Sequence, residues 1–333
     1  MHRLPKFSLA YILAVILLGW PCIISANQPL RHEQGYVDVA DGKLHYDTYG
    51  DKGGVPMIVL HGGPGLDSGY LLPQMLQLAS LNQATFYDQR GSGKSLGFAL
   101  DPQTINMDNF VNDLEALRVK LNYEKFILVG HSWGSILAMR YATLYPEHVS
   151  DLILISSGPA TSDGFKAFIA EYNQRLMPIG SKVKQIENSA KFRQYDPNTV
   201  ADYYRLLFSI YFYKPEQVAQ LSLQFTPQSA QSGIKVGEIM GQSYLANYDL
   251  RADLQQLKMP VLVVHGKNDL IPIAYAQEIA AAIPNSKLIA IQECDHFPYI
   301  EQPMELFGSI RKFLGQTAQP RATIRYAPAP ADE

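Results

Sequence analysis

The sequence predicts an α/β fold: a mostly parallel sheet with helices on both faces, interrupted by an inserted helical cap. Three observations lead there. Short continuous apolar runs alternate with stretches of helical period, the pattern of strands buried on both faces and joined by covering helices. The rhythm breaks at Gly158-Pro159. It resumes at Pro260, where Val261 to Val264 is again a short apolar run.

Taken in order, Gly35 to Gly50 alternates apolar and polar residues about Asp41-Gly42 and predicts an antiparallel hairpin that opens the sheet. Met57 to Leu60 is a buried strand running into His61-Gly62-Gly63-Pro64-Gly65, and Ala84 to Tyr87 is a second, ending in DQRGSGKS (Asp88 to Ser95). Asn106 to Leu121 carries helical periodicity through Phe110, Leu114, Leu117 and Leu121. Phe126 to Val129 and Leu152 to Ile155 are further strands. In the cap, Phe165 to Leu176, Thr199 to Phe212 and Pro215 to Leu223 read as helices, with loops at Asp196-Pro197-Asn198 and Thr226-Pro227. After Val261 to Val264 come a helix over Ile273 to Ile283, a strand over Lys287 to Ile291 and a last helix over Met304 to Leu314. The expected organisation is a leader over 1–26, a core in two parts over 27–158 and 251–315, a cap over 159–250, and a Pro-rich mobile tail over 316–333.

Composition narrows the classes. With 47% hydrophobic and 18% charged residues the chain reads as globular, and a net charge of −3 supplies no basic footprint for nucleic acid. His2, Arg3 and Lys6 precede an apolar run from Ser8 to Trp20, and Ile24-Ser25-Ala26 offers a small-residue cleavage site. These are the parts of a secretory signal peptide, which implies a secreted or periplasmic protein with no stable membrane insertion after cleavage. The alternative is an anchor through residues 7–26. Trp20 and Pro21 stand where a lipoprotein signal at Cys22 needs small residues. Loss of Cys22 with the leader leaves Cys294 with no internal disulfide partner, and Cys294 reads as a small buried residue at a strand end.

The chemistry centres on GHSWGS, Gly130 to Ser135, between an apolar strand and a helix. A G-x-S-x-G there is the nucleophile elbow of the α/β-hydrolase fold, with Ser132 on the tight turn and Gly130 and Gly134 letting strand and helix pass closely. The pattern arises by chance in about one chain in ten of this length, so its context carries the argument. Asp269, in HGKND, and His296, in CDHF, each follow an apolar strand, giving the chain order Ser, Asp, His. In an open α/β sheet such loops meet at the carboxyl ends of the strands. Ser132 is the expected nucleophile, His296 the general base and acid, and Asp269 the group that fixes the imidazole tautomer. The N–H groups of Gly63 and Trp133 are the expected oxyanion donors. Asp88 and Arg90 are expected to brace the loop edge through an ion pair. DQRGSGKS is no phosphate loop, because Asp88 stands where a Walker motif needs glycine. No metal or other cofactor is expected, since no H-E-x-x-H or similar ligand spacing occurs.

HGGPG, YDQRGSGKS, GHSWGS, HGKND and CDHFPYIEQP together resemble the proline iminopeptidase group of α/β-hydrolases, which includes the tricorn-interacting aminopeptidases, over roughly residues 35 to 315. The resemblance implies a serine aminopeptidase that releases N-terminal residues, often proline, from short peptides. His131 is a departure: many proline iminopeptidases have glycine there, whereas esterases and C–C bond hydrolases commonly have histidine. A carboxylesterase or amidase acting on a small ester or amide is therefore the alternative, and a hydrolase-fold binding protein with a vestigial site is the third reading. An aminopeptidase must hold a free α-ammonium, and a cap carboxylate is the physical answer. Of Glu171, Glu187, Glu216 and Glu238, the last best matches where related enzymes place one.

Overall fold

The computed structural model describes residues 30–80 and 82–315. The expected leader and tail lie outside the described residues.

The sheet is built from β1 (His32–Val39), β2 (Gly42–Tyr49), β3 (Val55–Leu60), β4 (Asn82–Tyr87), β5 (Phe126–His131), β6 (Val149–Ile155), β7 (Val261–Gly266) and β8 (Ser286–Ile291). Their spatial order is β1-β2-β4-β3-β5-β6-β7-β8. The hairpin and the β2–β4 pair are antiparallel, and every pair from β4–β3 onward is parallel. The hairpin turns at Asp41, whose φ of 67° is the left-handed geometry that aspartate tolerates.

Strand periodicity explains why the central runs are apolar throughout. Ile58, Leu60, Leu128, Leu152, Leu154, Val261 and Val263 face one core, while Met57, Val59, Ile127, Val129, Ile153, Ile155, Leu262 and Val264 face the other. A side-chain period of two delivers alternate residues to opposite faces, and helices or loops cover both.

The first helices are α1 (Met107–Lys120) and α2 (Trp133–Leu144). The Asn106 side chain caps α1 by accepting from the Asn109 N–H, and Arg118 and Lys120 lie in its last turn, where cations suit the helix dipole. Between β6 and β7 come α3 (Ser162–Leu176), α4 (Gly180–Glu187), α5 (Ala190–Arg193), α6 (Pro197–Phe208) and α7 (Pro227–Gln242). The short α8 (Arg251–Leu254) also precedes β7, and after β7 follow α9 (Ile273–Ala282), α10 (Pro298–Glu301) and α11 (Pro303–Phe313).

Several cap expectations are corrected. Asp196-Pro197 and Thr226-Pro227 are helix starts rather than loops. Asp196 and Thr226 accept from the N–H groups of Thr199 and Ser229, and each proline takes a first-turn position where an N–H would lack a partner anyway. The helix expected to run to Phe212 ends at Phe208 and passes into a 3₁₀ turn, Ser209–Tyr211. The one expected over Pro215 to Leu223 is a 3₁₀ segment, Pro215–Gln220.

Candidate active site

Ser132 sits between β5 and α2 with φ 57° and ψ −123°. A side chain is rarely held at such a φ, so the surrounding structure must over-determine it. It does so by close backbone approach. A Cβ at Gly134 would lie 2.5 Å from the Leu60 carbonyl oxygen, and one at Gly130 would lie 2.5 Å from that of Gly134. The Ser132 N–H donates to the Ile155 carbonyl, and its own carbonyl accepts from Gly158 and Ser135. The elbow is pinned between β5, β6 and the start of α2.

The structure brings Asp269 and His296 together from the loops after β7 and β8. Nδ1 of His296 lies 3.0 Å from both carboxylate oxygens of Asp269. Burial by itself would raise Asp269, but the imidazoles of His296 and His265 and the Ile271 N–H hold it at about 2. Burial likewise disfavours the His296 cation, yet Asp269 and its hydrogen bond lift the imidazole above its ordinary value. An ionised Asp269 under Nδ1 leaves Nε2 as the nitrogen that exchanges protons.

Ser132, Trp133, Gly63 and His296 line one cavity of about 290 Å³. Trp133 opens α2, where first-turn N–H groups have no acceptor within the helix. The loop carrying Gly63 is held from both sides. Gln89 of the DQRG stretch donates its backbone N–H to His61 Nε2 and its side-chain amide to the His61 carbonyl, and its Oε1 accepts from the Trp133 indole. A backbone contact also pins it from the cap, for a Cβ at Gly65 would lie 2.0 Å from the Gly233 carbonyl oxygen of α7.

Asp88 and Arg90 do not pair with each other, contrary to expectation. Asp88 accepts from the N–H and Oγ of Ser68 and from the Lys94 N–H. Arg90 makes a two-pronged contact with Asp113 of α1, at 2.7 and 2.6 Å, and is 1% exposed. Cys294 is buried, and burial pushes its thiol well above the usual range.

Glu238 is the clearest correction. Gly237 and Gly241 of α7 line the cavity, but Glu238 is rotated off that face. Its side chain is about half exposed and paired with Lys235 at 3.0 Å. Glu171 pairs with Arg175, and Glu187 accepts from the Tyr203 hydroxyl. Among the described residues that line the cavity there is no Asp, Glu, Lys or Arg. Its cap wall is aromatic and aliphatic, with Phe165, Phe168, Tyr172, Tyr204, Phe208 and Tyr211. Also among the described residues, no group of three or more His, Cys, Asp or Glu is placed to hold a metal ion.

Sequence reasoning missed two side chains that organise the site. Tyr70 joins Gly62 to His131. Arg175 reaches from α3 to Asp295 at 2.5 Å, to the Asn268 carbonyl at 2.6 Å and to the Ile210 carbonyl at 3.2 Å, so it clamps the residues preceding His296 and Asp269. Neither has a local signature. The cap face of α7 does have one, the glycine spacing Gly233, Gly237, Gly241.

Residues 55–303 match the model of the alpha/beta hydrolase fold family. A proline iminopeptidase of Heyndrickxia coagulans is 28% identical over 295 residues, covering 85% of this chain and 99% of that one. A proline iminopeptidase of Saccharolobus solfataricus is 26% identical over 295 residues, covering 85% and 93%. The crystal structure of a proline iminopeptidase-related protein from Thermus thermophilus superposes with a TM-score of 0.66 at 24% identity, covering 86% and 98%.

Proposed function

Because the chain belongs to the alpha/beta hydrolase fold family, we propose that this hydrolase cleaves small apolar esters or amides through an acyl-enzyme on Ser132. The observation that carries this reading is the joint presence of Ser132, His296, Gly63 and Trp133 on one cavity, with Asp269 behind the imidazole. Ser132 Oγ attacks the carbonyl carbon as His296 Nε2 takes its proton. The oxyanion is held by the N–H groups of Gly63 and Trp133. Collapse of the tetrahedral species breaks the bond to the leaving group, which takes the proton from His296. Water then repeats the sequence on the acyl-enzyme, releasing the acid and restoring Ser132.

Two substrate readings are supported by different observations. The curated relatives support release of N-terminal residues, proline among them, from short peptides. The cavity lining supports a neutral ester or amide, because a buried ammonium without a carboxylate partner is costly. Matched aminoacyl anilides with free and acetylated amines decide between them. Faster cleavage of the free amine establishes the aminopeptidase, and faster cleavage of the acetylated or deaminated analogue establishes the neutral-substrate hydrolase. Export with removal of residues 1–26 is proposed as well, and N-terminal sequencing of the mature protein tests it.

A further inference from the structure

Three backbone segments must hold their relative positions for acyl transfer: the oxyanion loop at Gly62-Gly63, the elbow at His131-Ser132, and the loop bearing His296. One chain of hydrogen bonds runs through all three. The Gly62 N–H donates to Tyr70 Oη at 2.6 Å, Tyr70 Oη lies 2.6 Å from His131 Nδ1, and His131 Nε2 lies 2.9 Å from the His296 carbonyl oxygen.

Chemistry fixes the direction of every link. The His296 carbonyl only accepts, so Nε2 of His131 carries the imidazole proton. Nδ1 is then bare and accepts from the Tyr70 hydroxyl, whose oxygen is free to accept from Gly62. Tyr70 and His131 are 2% and 1% exposed, so no bulk water competes for these groups. Burial and the neighbouring His296 push His131 down to about 3, which keeps it neutral and the directions unchanged wherever His296 is a working base. The packing leaves little slack. A Cβ at Gly62 would lie 2.7 Å from Tyr70 Oη and 2.9 Å from Ser132 Cβ. Gly62 is thus held on both sides, its N–H by Tyr70 and its carbonyl, which shares a peptide with the Gly63 N–H, by His61 Nδ1 at 2.9 Å.

We propose that Tyr70 and His131 are positioning residues that hold the oxyanion loop, the nucleophile elbow and the His296 loop in one register for the transition state. Both residues also line the cavity, but on this account they act through the backbone they hold and select no substrate. The inference rests on the serine-hydrolase reading, and the experiment separates the two.

Tyr70→Phe removes only the hydroxyl. The expected result is a fall in kcat of roughly 10- to 100-fold with KM within about two-fold, the signature of an interaction made in the transition state. Affinity for a boronic-acid analogue of the tetrahedral species falls in parallel with kcat/KM, while affinity for the carboxylic acid product is unchanged. His131→Asn keeps an acceptor near Nδ1, and His131→Gln keeps a donor near Nε2. Each therefore loses one arm and falls less than His131→Ala, and these variants carry the test if Tyr70→Phe does not fold. Wild-type kcat and boronate affinity in Tyr70→Phe overturn the proposal. So does a rise in KM at constant kcat, which makes Tyr70 a pocket wall. A fluorophosphonate that fails to label Ser132 in the unaltered protein overturns the hydrolase reading itself.

Discussion

Both carboxylate oxygens of Asp269 stand 3.0 Å from Nδ1 of His296, and Oδ2 also lies 3.6 Å from Nε2 of His265. A carboxylate flanked by two imidazoles is held ionised, and in the proposed mechanism its negative charge is what would stabilise the imidazolium formed when Ser132 gives up its proton.

Ser132→Ala removes the proposed nucleophile and is expected to lower kcat by roughly 10⁴-fold or more. Steady-state turnover of the best ester or amide substrate checks this, and near-normal turnover removes Ser132 from the mechanism.

The pH dependence follows from His296. Its imidazole is raised above the ordinary value, and only the neutral form can take the serine proton. Activity is therefore lost as pH falls through the raised value, so the acidic limb of kcat/KM lies above about 6.5, the ordinary histidine value. Asp269→Asn removes the anion that raises it, and that limb moves to lower pH as kcat falls. A profile of kcat/KM from about pH 4 to about pH 9 measures both effects.

Arg175 ties the cap to the two triad loops through Asp295 and the Asn268 carbonyl. Arg175→Met is expected to lower kcat/KM by about ten-fold. Asp295→Asn lowers it as well, and the double variant falls by less than the product of the two. A double-mutant cycle with a coupling of about 1 kcal/mol or more is the expected outcome. Full additivity would show that the two residues act apart.

Arg90 and Asp113 form a buried ion pair between the DQRG stretch and α1. Arg90→Met leaves a carboxylate buried without its partner, and the expected loss is about 3–5 kcal/mol. Replacing both residues with apolar side chains costs less. Urea unfolding of the single and double variants checks the order.

The parts of the site that were legible in the sequence are those with local causes. An apolar run ending in a glycine-flanked serine, or in an aspartate or histidine, marks the carboxyl end of a strand, and the sheet collects those ends on one edge. Glu238 failed for a geometric reason. Helical period puts Gly233, Gly237 and Gly241 on one face of α7, and Glu238, one residue on, is turned by about 100° to solvent beside Lys235. The prolines at 197 and 227 signal chain entry into a helix as readily as a loop, and only the capping partners at Thr199 and Ser229 decide. Arg90 chose Asp113 over Asp88 because the fold brings α1 to it, and no spacing rule carries that choice. Tyr70 and His131 are 61 positions apart, joined only when β5 and the segment after β3 fold against each other.

The contact of Gly65 with Gly233 governs how such a protein can be remodelled. The loop at Gly63 to Gly65 and α7 touch backbone to backbone, so the cap wall over Ser132 is not an independent module. Exchange at Phe165, whose ring meets Phe168, reshapes the wall away from His296, whereas Phe208 packs on Phe297 beside it. A cap taken from elsewhere would have to bring a residue without a side chain at the position of Gly233. Any β-carbon there would lie 2.1 Å from the Gly65 carbonyl oxygen and push that loop out of register. Diversification is open along the aromatic wall and closed along this one seam.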